Sequence, residues 1–235
     1  MNKPRQILRS CFPEQWVPVV MLLYTALAVV TLEYFGSADF YTQHFDHSRG
    51  SDINLHSQLW WALSTITVYL IIPALIVILL FRQKLSEFGI TIRIKKKQIV
   101  LYIALYLIVL PFVLYASTRT DFQNIYPFYR NASFSDIRLF LLWELAYLTQ
   151  FVALEFFFRG FLAIGLERYV GRLSVWIAVI PYCMIHFHKP VLEATGAIVA
   201  GLVLGELARR TRTIFGGVVV HAGVALTMDL LALRR

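Results

Sequence analysis

The chain has 235 residues, 58% of them hydrophobic and only 15% charged, with a mean hydropathy of +0.65. No ordinary soluble domain carries that much apolar surface, so the expectation is an all-α, polytopic membrane helical bundle. The formal charge of +8 is not a nucleic-acid footprint, because the basic residues gather in particular loops, as membrane topology requires.

Seven stretches are long and apolar enough to span a bilayer, at about 16–34, 59–81, 99–117, 139–162, 173–188, 191–208 and 214–233. The basic start (Lys3, Arg5, Arg9) leads straight into a full-length span, which reads as a retained first helix. Arg82 to Lys97, Arg168 to Arg172 and Arg209 to Arg212 are rich in Lys and Arg. The segments 35–58 and 118–138 are poorer in positive charge and hold Asp39, Asp46, Asp52, Asp121 and Asp136. The positive-inside rule then places the N-terminus in the cytoplasm. The compact chain without an address signal fits a bacterial inner membrane. A two-helix region, 1–98, and a core, 99–235, form one integrated membrane domain.

Pro73 and Pro111 lie inside spans and predict kinks. Ala197, Gly201 and Gly205 make a small-residue face that lets another helix come close. Two cysteines are too few for a disulfide framework, and Cys183 reads as a small core residue. His44, Asp46, His47 and His56 match no strong metal pattern and read as part of a solvated loop. Asn131-Ala132-Ser133 is a glycosylation sequon on the predicted outer side.

Ionisable groups inside spans are costly, and they mark partnership or function. Glu155 and Arg159 lie one helical turn apart in an apolar run. Let span four continue to Tyr169, turn, and return from Arg172 as span five. Glu155 is then 14 residues before the turn and His186 is 14 after it, both roughly 21 Å from it at 1.5 Å per residue. Glu144 lies eleven residues before Glu155 and shares its face. His221, Ala225 and Asp229 form a one-sided stripe on span seven, and Glu193 opens span six. A carboxylate and an imidazole held together in low dielectric are suited to activating water. A second histidine can donate to the oxyanion formed on an amide carbonyl.

Three motifs in order carry a resemblance: Leu154-Glu155-Phe156-Phe157-Phe158-Arg159-Gly160, Tyr182-Cys183-Met184-Ile185-His186, and His221-Ala222-Gly223-Val224-Ala225. The stretch from about Glu144 to Asp229 resembles the CPBP family of CAAX proteases and bacteriocin-processing (Abi) enzymes, which are intramembrane proteases. The resemblance implies an endopeptidase acting on a membrane-associated peptide or protein within the lipid bilayer. Glu155, His186, His221 and Arg159 would then be its catalytic set, with Tyr182, Glu144, Glu193 and Asp229 as weaker binding candidates. The sequence departs from the family pattern at Leu154 (Glu), Tyr182 (Phe) and Ala225 (Asn). Glu155 would take over as base, and Asp229 or Tyr182 would supply the missing polar contact. No cofactor is expected and a metal-free glutamate mechanism is favoured; if the reaction were zinc-dependent, Glu155, His186 and His221 would be the ligands. The alternative is a degenerate member acting as a non-enzymatic scaffold or immunity protein. A transporter is a third class, disfavoured by the absence of half-repeats.

Overall fold

The computed structural model describes residues 13–45, 52–92, 94–129 and 137–233. Cys11, Asp46, His47, the 131–133 sequon, Asp136 and the basic residues at both termini lie outside them. Among the described residues there is no strand, and the elements are all helical. They run α1 (Trp16–Tyr34), α2 (Ala38–Phe45), α3 (Asp52–Ile66), α4 (Lys96–Ser117), α5 (Thr120–Gln123), α6 (Ile137–Glu155), α7 (Glu167–Val170), α8 (Leu173–Met184), α9 (Val191–Thr211) and α10 (Phe215–Leu233). Six helical stretches among the described residues are long and apolar enough to cross a membrane. The polytopic all-α bundle expected from composition is what forms.

The fifth predicted span is shorter than expected. It ends as a helix at Met184, and its 12 residues reach only about 18 Å against a hydrocarbon core of about 30 Å. The segment read as a loop at 35–58 contains α2 and the start of α3. Phe40, Tyr41 and Phe45 of α2 gather around Trp60, at ring separations of 6.4, 5.9 and 5.7 Å. His44 stacks on Phe40 at 4.2 Å and engages the Phe40 carbonyl through Nδ1 at 2.9 Å.

Two helices widen in mid-course. α3 continues through π-type turns at Thr67–Ile71 and Ile76–Leu80 on either side of Pro73, where the proline's missing N–H interrupts the regular ladder. Pro111 sits in an α4 without such a turn. α6 passes directly into a nine-residue π-helical segment, Phe156–Ile164, in which every residue is buried. A helix apolar all round is one surrounded by protein, and Phe-Phe-Phe-Arg-Gly-Phe-Leu-Ala-Ile is that pattern with one charge in it. Half of the α6 span is buried, against 11–33% for the other membrane-length helices. α6 is therefore the central post.

α8 returns antiparallel beside it through a turn at Gly171, whose φ of +60° a glycine adopts without strain. The small-residue face of α9 is used within the chain: Gly205 receives Val175, and Gly201 receives Val179 and Tyr182, all from α8. Cys183 is half-buried rather than a core residue. α10 packs antiparallel to α6 on another side and against α4, where the Tyr106 hydroxyl and Thr227 Oγ1 are 2.8 Å apart.

The widened segment leaves little room for added atoms. A Cβ on Gly160 would lie 2.5 Å from the Phe88 carbonyl oxygen, a backbone atom that cannot rotate aside, whereas one on Gly196 would meet nothing within 4 Å. Gly160→Ala should cost about 1–3 kcal/mol, and Gly196→Ala should be neutral or stabilising by up to about 1 kcal/mol. Denaturant titration in micelles, followed by tryptophan fluorescence, measures both.

Candidate active site

Glu155 is the last regularly wound residue of α6, and the wide turn begins at the next position. Its side chain is fully buried and its two oxygens face different partners. Oε2 lies 3.4 Å from Arg159 Nε, and Oε1 lies 3.2 Å from His221 Nδ1 on α10. α10 comes this close because Gly217, one turn before His221, faces the carboxylate; a Cβ there would collide with Oε2. Glu155 is 0% exposed and Arg159 1%, whereas His221 keeps 16% of its side chain accessible. The imidazole is thus the member of this contact that reaches the surrounding space.

A carboxylate oxygen accepts, so His221 donates Nδ1–H to Glu155 and, when neutral, presents an unprotonated Nε2. His186, just past the end of α8, has its Nδ1 2.8 Å from the Tyr182 carbonyl oxygen. A carbonyl can only accept, so the neutral ring carries its proton on Nδ1 and its Nε2 is also free to accept. The Tyr182 ring lies between these groups, 4.8 Å from His186 and 6.1 Å from His221. The Arg159 guanidinium sits over its face at 4.1 Å. Phe151 packs on His221 from the α6 side at 4.5 Å.

All four residues read as catalytic from the sequence therefore meet at one place, with Tyr182 among them. The pairing differs from the hairpin register. Glu155 is bonded to His221, and His186 engages the backbone of its own helix. Among the described residues no three His, Cys, Asp or Glu side chains are gathered as a metal-ligand set.

The weaker candidates occupy two further places. Glu144 and Asp229 face each other deeper along the same α6–α10 pair, and Trp143 Nε1 donates to Asp229 Oδ2 at 3.3 Å. Asp229 is eight residues along α10 from His221, about 12 Å away, so it does not fill the position left by Ala225. Ala225 is itself buried among Trp143, Tyr147 and Phe151. Glu193, at the start of α9, accepts from Lys189 Nζ at 2.8 Å and from the Tyr126 hydroxyl at 2.7 Å.

Lys189, Tyr126 and Trp143 were not singled out from the sequence. The i, i+4 spacing of Lys189 and Glu193 was a legible signal. Gly217 closes the family-like stretch Arg212-Thr213-Ile214-Phe215-Gly216-Gly217, and the structure adds the carboxylate that it faces. Lys189 lies near enough to act electrostatically on both His186 and His221.

The arrangement is a carboxylate–imidazole contact buried among membrane-length helices. Residues 136–227 match the family model described as Rce1-like, Type II CAAX prenyl endopeptidase Rce1-like. The matched region, less than half of the chain, holds all three motifs, so the resemblance to CPBP-type CAAX proteases is borne out. Searches of curated proteins and of solved structures each gave no match.

Removing one partner of a buried ion pair strands the other. Arg159→Met should destabilise the folded protein by about 3–5 kcal/mol, and Glu155→Gln in the same chain should recover part of that loss. Unfolding free energies of the two single variants and the double variant, compared as a cycle, measure the coupling.

Proposed function

We propose that this protein is an endopeptidase that hydrolyses a peptide bond in a membrane-associated peptide or protein by means of a Glu155–His221 dyad, with His186 beside it. The observation that carries the reading is the 3.2 Å contact between a fully buried carboxylate and a partly accessible imidazole, inside the region that matches the family. Glu155 has no exposed surface, so its role is to fix the His221 tautomer and to stabilise the imidazolium as it forms. His221 Nε2 accepts a proton from water as the water oxygen bonds to the scissile carbonyl carbon. His186 Nε2 is available to accept from the water's second O–H and orient it. Collapse of the tetrahedral intermediate breaks the C–N bond, and the proton passes from His221 to the leaving nitrogen. No step calls for a metal. Arg159 balances the Glu155 charge from behind.

The depth of the site supports cleavage near one face of the bilayer. Glu155 sits level with Gly217, less than one turn inside the start of α10. The Thr213 and Phe88 loops, flanked by Arg82, Lys84 and Arg212, lie at that end. With the N-terminus in the cytoplasm, this is the cytoplasmic half. The family description names a prenyl endopeptidase, which makes lipid-anchored peptides the first substrates to try.

In proteoliposomes, the wild-type protein should cleave members of a panel of lipidated and unlipidated membrane peptides, read by mass spectrometry. Glu155→Gln should lower turnover by roughly a hundredfold to ten-thousandfold, as loss of the orienting acid does in hydrolase triads. His221→Ala and His186→Ala should lower it at least as far. Full turnover in these variants would sink the mechanism. A folded wild-type protein that cleaves nothing in the panel would instead favour the scaffold reading, to which the burial of Ala225 in an aromatic layer already lends weight.

A further inference from the structure

Arg159 is held against an aromatic face. Its guanidinium is 1% exposed, and none of its three nitrogens has a hydrogen-bond partner. The approach to Glu155 Oε2, at 3.4 Å, is long for a charge-assisted contact. The Tyr182 hydroxyl also lies close enough to interact with the guanidinium. The guanidinium lies over the Tyr182 ring, with Cζ 4.1 Å from the ring centroid, and a desolvated guanidinium over an aromatic face is a strong cation–π pair.

That ring is fixed from three sides. Phe158 meets it edge-on at 5.2 Å and 69°, and His186 packs on it at 4.8 Å. On the third side α9 passes at Gly201, where a Cβ would lie 3.1 Å from Tyr182 Cδ1 and 3.0 Å from Val179 Cγ2. Phe158, Arg159, Tyr182 and Gly201 line a crevice too narrow to admit a water molecule, so the ring is closely confined. The same residue also fixes His186, whose Nδ1–H is donated to the Tyr182 carbonyl.

We propose that Tyr182 is a positioning residue, whose ring seats Arg159 against Glu155 while its carbonyl sets the His186 tautomer, and that Gly201 of α9 is the seat of that ring. One side chain on α8 thereby aligns the carboxylate on α6 with the imidazole beyond α8. α9 contributes to the site without offering a polar group to it. This deepens the peptidase reading and rests on it for its kinetic consequences, but its structural content stands by itself.

The test uses the full chain, labelled with ¹⁵N-arginine, in lipid nanodiscs. Arg159 should give an Nε–Hε signal that exchanges slowly with solvent and is displaced by the Tyr182 ring current. Tyr182→Leu should abolish the displacement and speed exchange by about thirtyfold, the loss expected of a desolvated cation–π contact. Tyr182→Phe, which keeps the ring, should recover both, and Gly201→Ala should move the signal without removing it. Where the wild-type protein turns over a peptide, Tyr182→Leu and Gly201→Ala should lower kcat on the order of a hundredfold with little change in KM, as misplacement of a catalytic group does. Tyr182→Phe should recover that loss too. An Arg159 signal unchanged in Tyr182→Leu overturns the proposal, as does a loss of thermal stability in that variant with kcat intact. A protein that cleaves no peptide but shows the expected NMR changes would refute the peptidase reading and leave the Tyr182–Arg159 seat standing.

Discussion

Everything in the centre of this molecule answers to one buried carboxylate. Glu155 has no solvent to share its charge, so each oxygen must face a group that compensates it. Arg159 does so from the same helix and His221 from α10. Continuum logic makes a buried pair costly unless geometry and further contacts offset the desolvation. Here the further contacts come from aromatic rings. Tyr182 covers Arg159, and Phe151 covers His221. The arrangement tolerates a charged pair in hydrocarbon by surrounding it with polarisable faces rather than with a dense hydrogen-bond network.

The α6–α10 pair carries a second polar rung, Glu144 with Asp229, anchored by the Trp143 indole. Between the rungs lies an apolar layer of Tyr147, Phe151 and Ala225. The position where the resembling family has an asparagine is thus part of an insulating layer. Its alanine is consistent with that packing, since a polar amide among these rings would need partners that the layer does not hold. The two acid-bearing levels are set apart in space by packed rings, with Trp143 on Tyr147 at 5.1 Å and Tyr147 against Phe151 at 5.1 Å.

Much of this was legible in the sequence, and where it was not the reason is geometric. Spans showed as apolar runs, the α6–α8 hairpin as a turn between two of them, and the convergence of three motifs as charge in apolar surroundings. The register that set Glu155 and His186 at one level assumed regular winding on both arms. From Phe156 to Ile164 α6 is wound with more residues per turn. A residue count from the turn therefore overstates how far Glu155 stands from it. On the other arm α8 stops at Met184, and His186 hangs beyond its end. The imidazole contact that the carboxylate does make is with His221 of α10. The Phe-Phe-Phe-Arg-Gly run announced burial, but nothing in residue type announces a wide turn. α2 was missed for a different reason: its eight residues are aromatic and polar by turns, and it is a helix because Trp60 gives its rings a surface to cover.

A wide helix at the centre of a bundle poses a packing problem that its neighbours must solve. π-turns spread the backbone outward, so the adjoining segments can approach only where they lack a side chain. Glycine occurs at those approaches. Gly217 of α10 faces the Glu155 carboxylate, and Gly89 of the loop after α3 lies against Ile164 and Ile214. Gly160, inside the wide segment, lies against the Phe88 backbone, and Gly201 of α9 lies against the ring that holds Arg159. These glycines lie far apart in the chain, and in sequence they read as separate small residues. In the fold they are one feature, the space into which α6 widens. The widening in turn sets Arg159 behind Glu155 rather than beside His221. The geometry of the charged pair is therefore specified as much by where side chains are absent, on three other segments and at Gly160, as by the two charged residues themselves.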